Sequence, residues 1–383
     1  MRRLCVLAVY AVLCVCCVCA RRTDKPLLTF ACMSDIHSQQ GMIATGRVED
    51  VRLRTSFLNS LRHVRESERI DALVLCGDYT SDVTIPEANW RRVRELMATA
   101  AVTAFPEGAR RTPVLYAVGN HDYEVANFDK LPKPYVAGDF YPFPMERQTG
   151  RLRDGDCFYE YASNGAGDSV RLLAAYHYRI GGVDFVVQNC GKFFFANAWD
   201  YQDSRESCEW VERKLQEIDP KGRKTIIYIN HLPLPGTVGA TEGKTLKDNE
   251  ATRILTRALA RHPRLLYLYG HDHSSRRNMS YITDRLTQRI SFYDANGCVV
   301  PDGDGAKARG FCSCFVGSMR YNSLDSNASP GVADSPIIQT LIVKVYKDRV
   351  VLKMHNFGRT GKLVGAAVSP TLTVDIPAVT IFR

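Results

Sequence analysis

The sequence predicts a layered α/β fold with a mixed or two-sheet core. Short apolar runs rich in strand-forming residues alternate with longer segments whose apolar residues recur at the helical period. Such alternation is typical of layered α/β proteins. Two pairs of strand-like runs are separated only by turn residues, at Gly181-Gly182 and at 347–349, which predicts hairpins. The sequence has no internal period of roughly 20–50 residues, so the chain is not a repeat protein.

The predicted elements follow one another without a clean linker. Apolar runs of strand-forming residues predict strands at 27–33, 70–76, 113–118, 176–180, 183–188, 225–229, 265–269, 340–346 and 350–355. Apolar residues at helical spacing predict helices at 48–69, 86–104, 207–218 and 250–260, the second with Pro86 in its first turn. Stretches rich in Gly and Ser, at 301–310 and 322–335, are predicted surface loops.

The composition is that of a folded protein. Of the 383 residues, 45% are hydrophobic and 24% are charged. These values are close to globular averages and exclude a disordered, collagenous or coiled-coil chain. The formal net charge is +9, which favours anionic partners. Because the basic residues are scattered and form no long block, the charge indicates no specific nucleic-acid or protein partner.

The first twenty residues have the pattern of a secretory signal peptide. Arg2 and Arg3 precede an apolar stretch at 4–18, and Val18-Cys19-Ala20 resembles a signal-peptidase site. We therefore expect cleavage near Ala20, a mature domain over 21–383 and a secreted or periplasmic location. The alternatives are an uncleaved signal anchor and a lipid-modified cysteine at position 16, 17 or 19. Only retention of this segment would bring the chain into contact with a membrane.

Export makes disulfide bonds permissible. Eight of the 13 cysteines lie beyond residue 20. Cys32 and Cys76 stand inside apolar strand runs and are predicted to be small buried hydrophobic residues. No CxxC follows the signal segment, so a cysteine-rich zinc site is disfavoured. The candidates for disulfide formation, with no pairing assigned, are Cys157, Cys190, Cys208, Cys298, Cys312 and Cys314.

Candidate functional residues gather where predicted strands end. Five apolar runs lead directly into polar segments at 34–37, 77–78, 119–122, 231 and 270–273. Loops at the carboxyl ends of strands are where α/β proteins place ligand sites. Five of the nine histidines lie in these loops, at 37, 121, 231, 271 and 273. We therefore expect the five loops to converge on one site.

The residue types in these loops indicate metal binding. Imidazole, carboxylate and amide oxygen together suit Mn, Fe or Zn. Residues two apart in extended backbone project to one side, so 35 with 37 and 271 with 273 are expected to face one cavity. Seven candidates exceed one tetrahedral shell and suit two ions that share a carboxylate; such pairs lower the pKa of a bridging water. The candidate ligands are Asp35, His37, Asp78, Asn120, His231, His271 and His273.

The ordered motifs resemble those of the calcineurin-like metallophosphoesterase superfamily, also called metallo-dependent phosphatases. The resemblance covers residues 27–275 and implies two mixed β-sheets packed as a sandwich and flanked by helices (αββα). A β-rich C-terminal part is predicted at 276–383. The motifs are Asp35-x-His37, Gly77-Asp78, Gly119-Asn120-His121-Asp122, His231 and Gly270-His271-x-His273.

The same resemblance implies roles for individual residues. One metal ion would be held by Asp35, His37, Asp78 and His273. The second would be held by Asp78, Asn120, His231 and His271. His121 would protonate the leaving oxygen or steady the phosphate, and Asp122 would orient His121.

The function implied by the resemblance is metal-dependent hydrolysis of phosphate mono- or diesters through a metal-bridging hydroxide, with His121 as the leaving-group acid. His37 and Ser81 depart from purple acid phosphatases, which have Gly and Tyr at the matching positions. The motif string is similar to that of class III cyclic-nucleotide phosphodiesterases and of exported sphingomyelinase-like diesterases, which are alternatives. A catalytically silent binding protein on the same fold is the non-enzyme alternative.

Two aromatic segments are candidate walls of a substrate cleft. Phe193–Phe195, Trp199 and Tyr201 follow the predicted hairpin and are candidates for a leaving-group pocket. Core packing or a capping loop is the alternative for them. Residues 128–160 are rich in aromatic residues and proline, and either border the cleft or form a surface loop.

Overall fold

The computed structural model of the chain describes residues 25–37, 48–79, 99, 103–105, 113–123, 153, 155–163, 169–237, 243–271, 290–300, 309–319, 338–357 and 374–376. The strands of this part are β1 (Leu28–Met33), β2 (Ala72–Cys76), β3 (Val114–Ala117), β4 (Cys157–Ser163), β5 (Ser169–Ile180), β6 (Val183–Gln188), β7 (Ile226–Asn230), β8 (Leu265–Tyr269), β9 (Ile290–Phe292), β10 (Cys312–Phe315), β11 (Ile338–Val345), β12 (Val350–Phe357) and β13 (Val374–Ile376). The α-helices are α1 (Val48–Glu68), α2 (Lys192–Ala196), α3 (Arg205–Ile218) and α4 (Glu250–Ala260).

The strands form two mixed sheets. The first has the order β13-β12-β11-β1-β2-β3, and the second has the order β4-β5-β6-β7-β8-β10-β9. Strands β1, β2 and β3 run parallel, as do β6, β7, β8 and β10, whereas the outer strands pair antiparallel. The central parallel strands are mostly apolar and are buried along their whole length, because both of their faces are covered. The predicted fold class, two mixed sheets with flanking helices, is confirmed.

The two sheets pack face to face. The rings of Phe30 on β1 and Phe185 on β6 meet edge to face, with centroids 5.3 Å apart. Between β3 and β5, the Tyr176 hydroxyl donates to the Tyr116 carbonyl at 2.8 Å. Because β1–β3 and β7–β8 each run parallel within their own sheet, the carboxyl ends of the strands in each set lie at one sheet end.

Helix α3 packs against β4, β5 and β6 of the second sheet and against helix α4, and each of the two helices begins at a capping side chain. The Ser204 hydroxyl accepts from the Ser207 N–H at 3.1 Å, and Asn249 Oδ1 accepts from the Thr252 N–H at 2.9 Å. Such caps satisfy donors that the first helical turn leaves without a partner. The Ser204 cap explains why α3 begins at Arg205, two residues before the predicted start.

Most predicted elements are present with small shifts in their bounds. The two hairpins form at the predicted turns, where Ile180 pairs with Val183 and Val345 pairs with Val350. Strands β4, β9, β10 and β13 and the short helix α2 were not predicted, and β5 begins at Ser169 instead of 176. Strand β4 begins inside the segment 128–160, for which a cleft border or a surface loop was expected, and extends beyond it to Ser163. Of the predicted helix 86–104, positions 99, 103 and 104 are helical and the rest lies outside the described residues, as do 301–308 and 322–335.

The eight cysteines beyond residue 20 all carry free thiols in the described part of the chain. Cys32 and Cys76 are fully buried, which confirms the prediction for them. Burial raises the pKa of Cys190 and of Cys208 well above the ordinary thiol value, so both thiols stay protonated at neutral pH. Within the described ranges, no helix has both the length and the apolarity needed to cross a bilayer.

His177 on β5 lies between two carboxylates away from the predicted site. Its Nδ1 is 3.1 Å from Asp156 Oδ1, and its Nε2 is 3.0 Å from Asp184 Oδ1. Lys214 Nζ lies 3.3 Å from the same Asp156 oxygen. Burial lowers the pKa of His177, but the hydrogen bonds to Asp184 and Asp156 outweigh burial and raise it above its ordinary value.

We expect the His177 contacts to stabilise the fold more at acidic than at basic pH. Their contribution is complete below the unfolded histidine pKa of about 6.5 and is lost as pH rises through the higher folded pKa. The measurement is thermal unfolding of the wild type and of His177→Gln between about pH 5.5 and about pH 9. The difference in Tm should be largest at the acidic end, and a difference that does not change with pH would contradict this expectation.

Candidate metal centre

Seven of the eight described candidate residues are buried where the two sheets meet. Asp35 and His37 follow β1, and Asp78 follows β2. The loop after β3 contributes Asn120, His121 and Asp122, and the ends of β7 and β8 contribute His231 and His271. His121 is the exception, with 16% of its side chain exposed. His273, the remaining predicted ligand, lies outside the described residues.

The Asp78 carboxylate lies at the centre of this group. Its Oδ2 is 3.0 Å from His231 Nε2, 3.6 Å from His37 Nε2 and 4.0 Å from His121 Nε2. Two sets of potential metal-ligating groups share it: His37, Asp78 and His121 form one, and Asp78, His231 and His271 form the other. Within each set, one potential ligand atom per residue lies within 4.8 Å of the others. Asp78 is common to both sets, but the first set contains His121, to which the family resemblance assigns the leaving group and not a metal ion.

Asp35 joins the two sheets at the site. Its Oδ1 lies 3.7 Å from His37 Nε2, and its two oxygens accept from the His271 N–H at 3.2 and 3.1 Å. The next loop is tied to it as well, because the Asp35 N–H donates to the Gly77 carbonyl at 3.1 Å. The position of Asp35 therefore depends on contacts to the loops after β2 and β8.

His231 has the environment of a metal-ligating histidine. Its Nδ1 lies 2.6 Å from the Cys76 carbonyl, which can only accept, so Nδ1 carries the proton of that hydrogen bond. Metal-ligating histidines usually donate their other ring N–H in this way. The Nε2 atom faces Asp78 Oδ2 at 3.0 Å without the alignment of a hydrogen bond. This nitrogen is therefore directed at the position where an ion would lie.

Asn120 is a second residue whose environment fits a metal ligand. Its side chain is fully buried, and within the described part of the chain neither Oδ1 nor Nδ2 has a hydrogen-bond partner. A buried amide without partners costs about 1–3 kcal/mol, so such groups are rare in folded proteins. Coordination of Oδ1 to a cation would remove half of this cost. The donor set of carboxylate, imidazole and amide oxygen thus fits the predicted metals.

The charges at the site favour a cation. Burial raises the pKa of Asp78, but His231, His121 and His37 outweigh burial and hold it well below its usual range. Burial lowers the pKa of His231, but Asp78 and Asp35 outweigh burial and raise it to about 9. The buried carboxylates therefore stabilise positive charge at the His231 ring, where a proton and a metal ion would compete.

The backbone is strained at four predicted ligands. Within the described residues, five non-glycine residues have positive φ, and four of them are Asp35 (57°), His37 (47°), Asp78 (55°) and His271 (70°). The expectation of extended backbone at 35 and 37 is therefore wrong, because tight left-handed turns bring these side chains together. Strained backbone outside glycine costs about 1–3 kcal/mol per residue and clusters at functional sites.

Glycines at the turns allow this close approach. A Cβ at Gly119 would lie 2.5 Å from the Asp78 nitrogen, and a Cβ at Gly270 would lie 2.8 Å from Asp35 Oδ2. Both distances are too short for any side chain. Glycine at these two positions therefore allows the backbone of one loop to approach predicted ligands of another.

Asp122 holds two loops of the site together. Its Oδ2 accepts from the N–H groups of Asp78 at 3.1 Å and Gly119 at 2.8 Å, and its Oδ1 accepts from the Tyr79 N–H at 2.8 Å. Burial and the Asp78 charge raise the pKa of Asp122 to about 7, although the Gly119 and Tyr79 N–H groups lower it. Its predicted role in orienting His121 stays a prediction.

His121 lies at the more open side of the site. Its N–H donates to Asp78 Oδ1 at 3.0 Å, and its ring centroid is 4.8 Å from that of His37. Residues His121–Tyr123 form a 3₁₀ turn. The turn leaves the His121 ring beside the predicted ligands and in contact with solvent.

Sequence reasoning missed the residues that support the His231 turn. Asn230, at the end of β7, donates from Nδ2 to Asp203 Oδ2 at 3.0 Å and accepts the Leu232 N–H at 3.1 Å. Burial raises the pKa of Asp203 to about 7. The position of Asn230 next to His231 was the available signal, whereas Asp203 lies in a loop without a recognisable motif.

The fold and the residues of this site agree with one family of phosphoesterases. The family model for calcineurin-like phosphoesterases matches residues 28–275. The chain belongs to this family, which agrees with the resemblance seen in its motifs.

Individual relatives are distant. Sphingomyelin phosphodiesterase 1 of Caenorhabditis elegans is 24% identical over 222 residues, which cover 56% of this chain and 36% of that protein. The chain thus matches only about a third of the length of this relative. The solved structure of a dimetal phosphatase from Danio rerio has a TM-score of 0.54 at 14% identity, over 92% of this chain and 100% of that chain. A purple acid phosphatase from yellow lupin has a TM-score of 0.47 at 12% identity, over 91% of this chain and 52% of that chain.

Proposed function

We propose that the chain binds two metal ions, of Mn, Fe or Zn, and hydrolyses phosphate mono- or diesters. The observation that carries this proposal is the buried Asp78 carboxylate, which two sets of histidines share. Membership of the calcineurin-like phosphoesterase family supports a phosphate ester as the substrate. The Caenorhabditis elegans relative, named as a sphingomyelin phosphodiesterase, favours a diester as the second candidate.

The residues have distinct roles in the proposed reaction. Asp35, His37, Asp78 and His273 hold one ion, and Asp78, Asn120, His231 and His271 hold the other. When bound, a pair of such ions stabilises charge at phosphorus and lowers the pKa of a water between them. His121 faces the open side and donates a proton to the leaving oxygen. Asp122 keeps the loops of Asp78 and Gly119 together through their backbone N–H groups.

The test is a panel of mono- and diesters with protein that has been stripped of metal and reloaded. Purified protein should gain two equivalents of Mn, Fe or Zn and hydrolyse at least one ester only when loaded. A catalytically silent binding protein would bind metal or phosphate without turnover. Failure to bind any of the three metals would contradict the two-metal proposal itself.

We also propose that residues 1–20 direct export and are removed. The support is the sequence pattern, because these residues lie outside the described part. N-terminal sequencing of protein from the extracytoplasmic fraction should find a start near Arg21. A start at Met1 would support the signal anchor, and an acylated cysteine would support a lipoprotein.

A further inference from the structure

One large aromatic side chain is exposed at the open side of the site. Trp199 is 54% exposed. Its ring meets that of His121 edge to face, with centroids 5.3 Å apart. His121 is the residue that we propose to protonate the leaving group, so Trp199 borders the space into which that group departs.

The aromatic residues after the hairpin divide into a buried and an exposed part. Phe194 is fully buried and belongs to the core, as expected from the packing alternative. The Tyr201 ring lies 6.4 Å from that of Phe194 and 4.9 Å from that of His271. Trp199 continues this row, with its centroid 6.3 Å from Tyr201. The row begins in the core, passes the predicted ligand His271 and ends at the exposed Trp199 beside His121.

The segment 197–203 that carries Trp199 is firmly held. The Trp199 N–H donates to Asn197 Oδ1 at 3.1 Å, and the Asp200 N–H donates to the Asn197 carbonyl at 2.8 Å. The Tyr201 carbonyl accepts the Lys247 N–H at 2.8 Å. These bonds fix the backbone on both sides of Trp199. A ring on a fixed backbone binds a ligand with little loss of conformational entropy.

We propose that Trp199 forms a leaving-group subsite that selects phosphate esters whose leaving group carries a flat aromatic ring. This inference rests on the proposed phosphoesterase function and deepens it. An indole ring offers a planar apolar surface on which a second ring can stack, and such pairs add to affinity beyond the area that they bury.

The test compares benzyl and methyl phosphate esters, as mono- or diesters according to the type that the enzyme accepts. The two leaving alcohols have similar acidity, so the need for a proton is matched. The wild type should prefer the benzyl ester in kcat/KM. Trp199→Ala should reduce this preference by roughly threefold to tenfold, and Trp199→Phe should retain most of it.

Tyr161→Ala is the matched control. Tyr161 is a 65% exposed aromatic residue on β4, at the edge of the second sheet. The Tyr161→Ala variant should leave the preference for the benzyl ester unchanged. Equal losses on both esters in Trp199→Ala, or an unchanged preference, would overturn the subsite. A comparable loss of preference in Tyr161→Ala would overturn it as well.

A binding measurement distinguishes failure of this inference from failure of the proposed function. Calorimetry of the Mn-loaded protein with benzylphosphonate and methylphosphonate needs no turnover. If no ester is hydrolysed but benzylphosphonate binds more tightly in a Trp199-dependent manner, the proposed function fails and the subsite stands. If esters are hydrolysed but neither assay depends on Trp199, the subsite fails and the function stands. Equal affinity for the two phosphonates, or binding of neither, counts against the subsite.

Discussion

Asp78→Asn is expected to abolish the loading of both metal ions and, with it, hydrolysis. Asp78 Oδ2 faces His37, His121 and His231, so a neutral amide there removes the charge that both ions share. The loss of affinity should exceed the ~10–100-fold that removal of an outer-shell partner costs. Metal analysis of the purified variant and its kcat on the best ester measure the effect.

Circular dichroism of Asp78→Asn and metal loading of a second variant, His37→Ala, distinguish loss of metal from loss of fold. Asn at position 78 retains an oxygen that can accept the His121 N–H, which Asp78 Oδ1 accepts in the wild type. The circular dichroism spectrum should therefore stay native. His37→Ala should affect chiefly one ion, because His37 belongs to one of the two sets. Full two-metal loading and activity in Asp78→Asn would show that this carboxylate does not bridge.

His121→Ala is expected to lower kcat on alkyl phosphate esters by ~10²–10⁴, the usual contribution of a general acid. The loss should be smaller on nitrophenyl esters, since nitrophenolate departs without a proton. Metal stoichiometry should stay at the wild-type value. The assays are kcat on both ester types and metal analysis of the same samples, with His121→Asn as a second variant that retains a polar side chain.

The structure suggests an alternative role for His121, as a metal ligand, and the same experiment tests it. His121 Nε2 lies 4.0 Å from Asp78 Oδ2 and belongs to the same set as His37. If His121→Ala loses an ion, His121 is a ligand or supports one. If metal is retained but both ester types lose activity equally, His121 positions the phosphate and donates no proton.

The local sequence pattern was sufficient to predict the strands that surround the site. Strands β1, β2, β7 and β8 are short apolar runs buried along their whole length, and each ends directly before polar residues. The burial of a parallel strand is visible in composition alone. Strand β4 was missed because half-exposed residues such as Phe158 and Tyr159 interrupt its pattern. Strand β10 was missed because its four residues, CSCF, are too few to show a period.

The backbone of the site was not predictable, because long-range contacts determine it. The His271 N–H bonds to Asp35, which is 236 residues away in sequence, and the His37 N–H donates to the Asp78 carbonyl. Positive φ is uncommon even for Asp and His, so local propensity alone did not indicate it at these positions. The sequence therefore indicated which side chains meet, but not the backbone conformations through which they meet.

The strain at Asp35, His37, Asp78 and His271 has a consequence for how variants of this protein would be selected. Each holds a side chain in a conformation that glycine adopts without cost. Glycine at any of these positions would relieve the strain but would remove a predicted ligand in the same step, and at Asp35 and Asp78 it would also remove hydrogen bonds between loops. Stability and activity pull in opposite directions here, as they often do at active sites. A stabilised variant of this protein is best sought away from the ends of β1, β2 and β8.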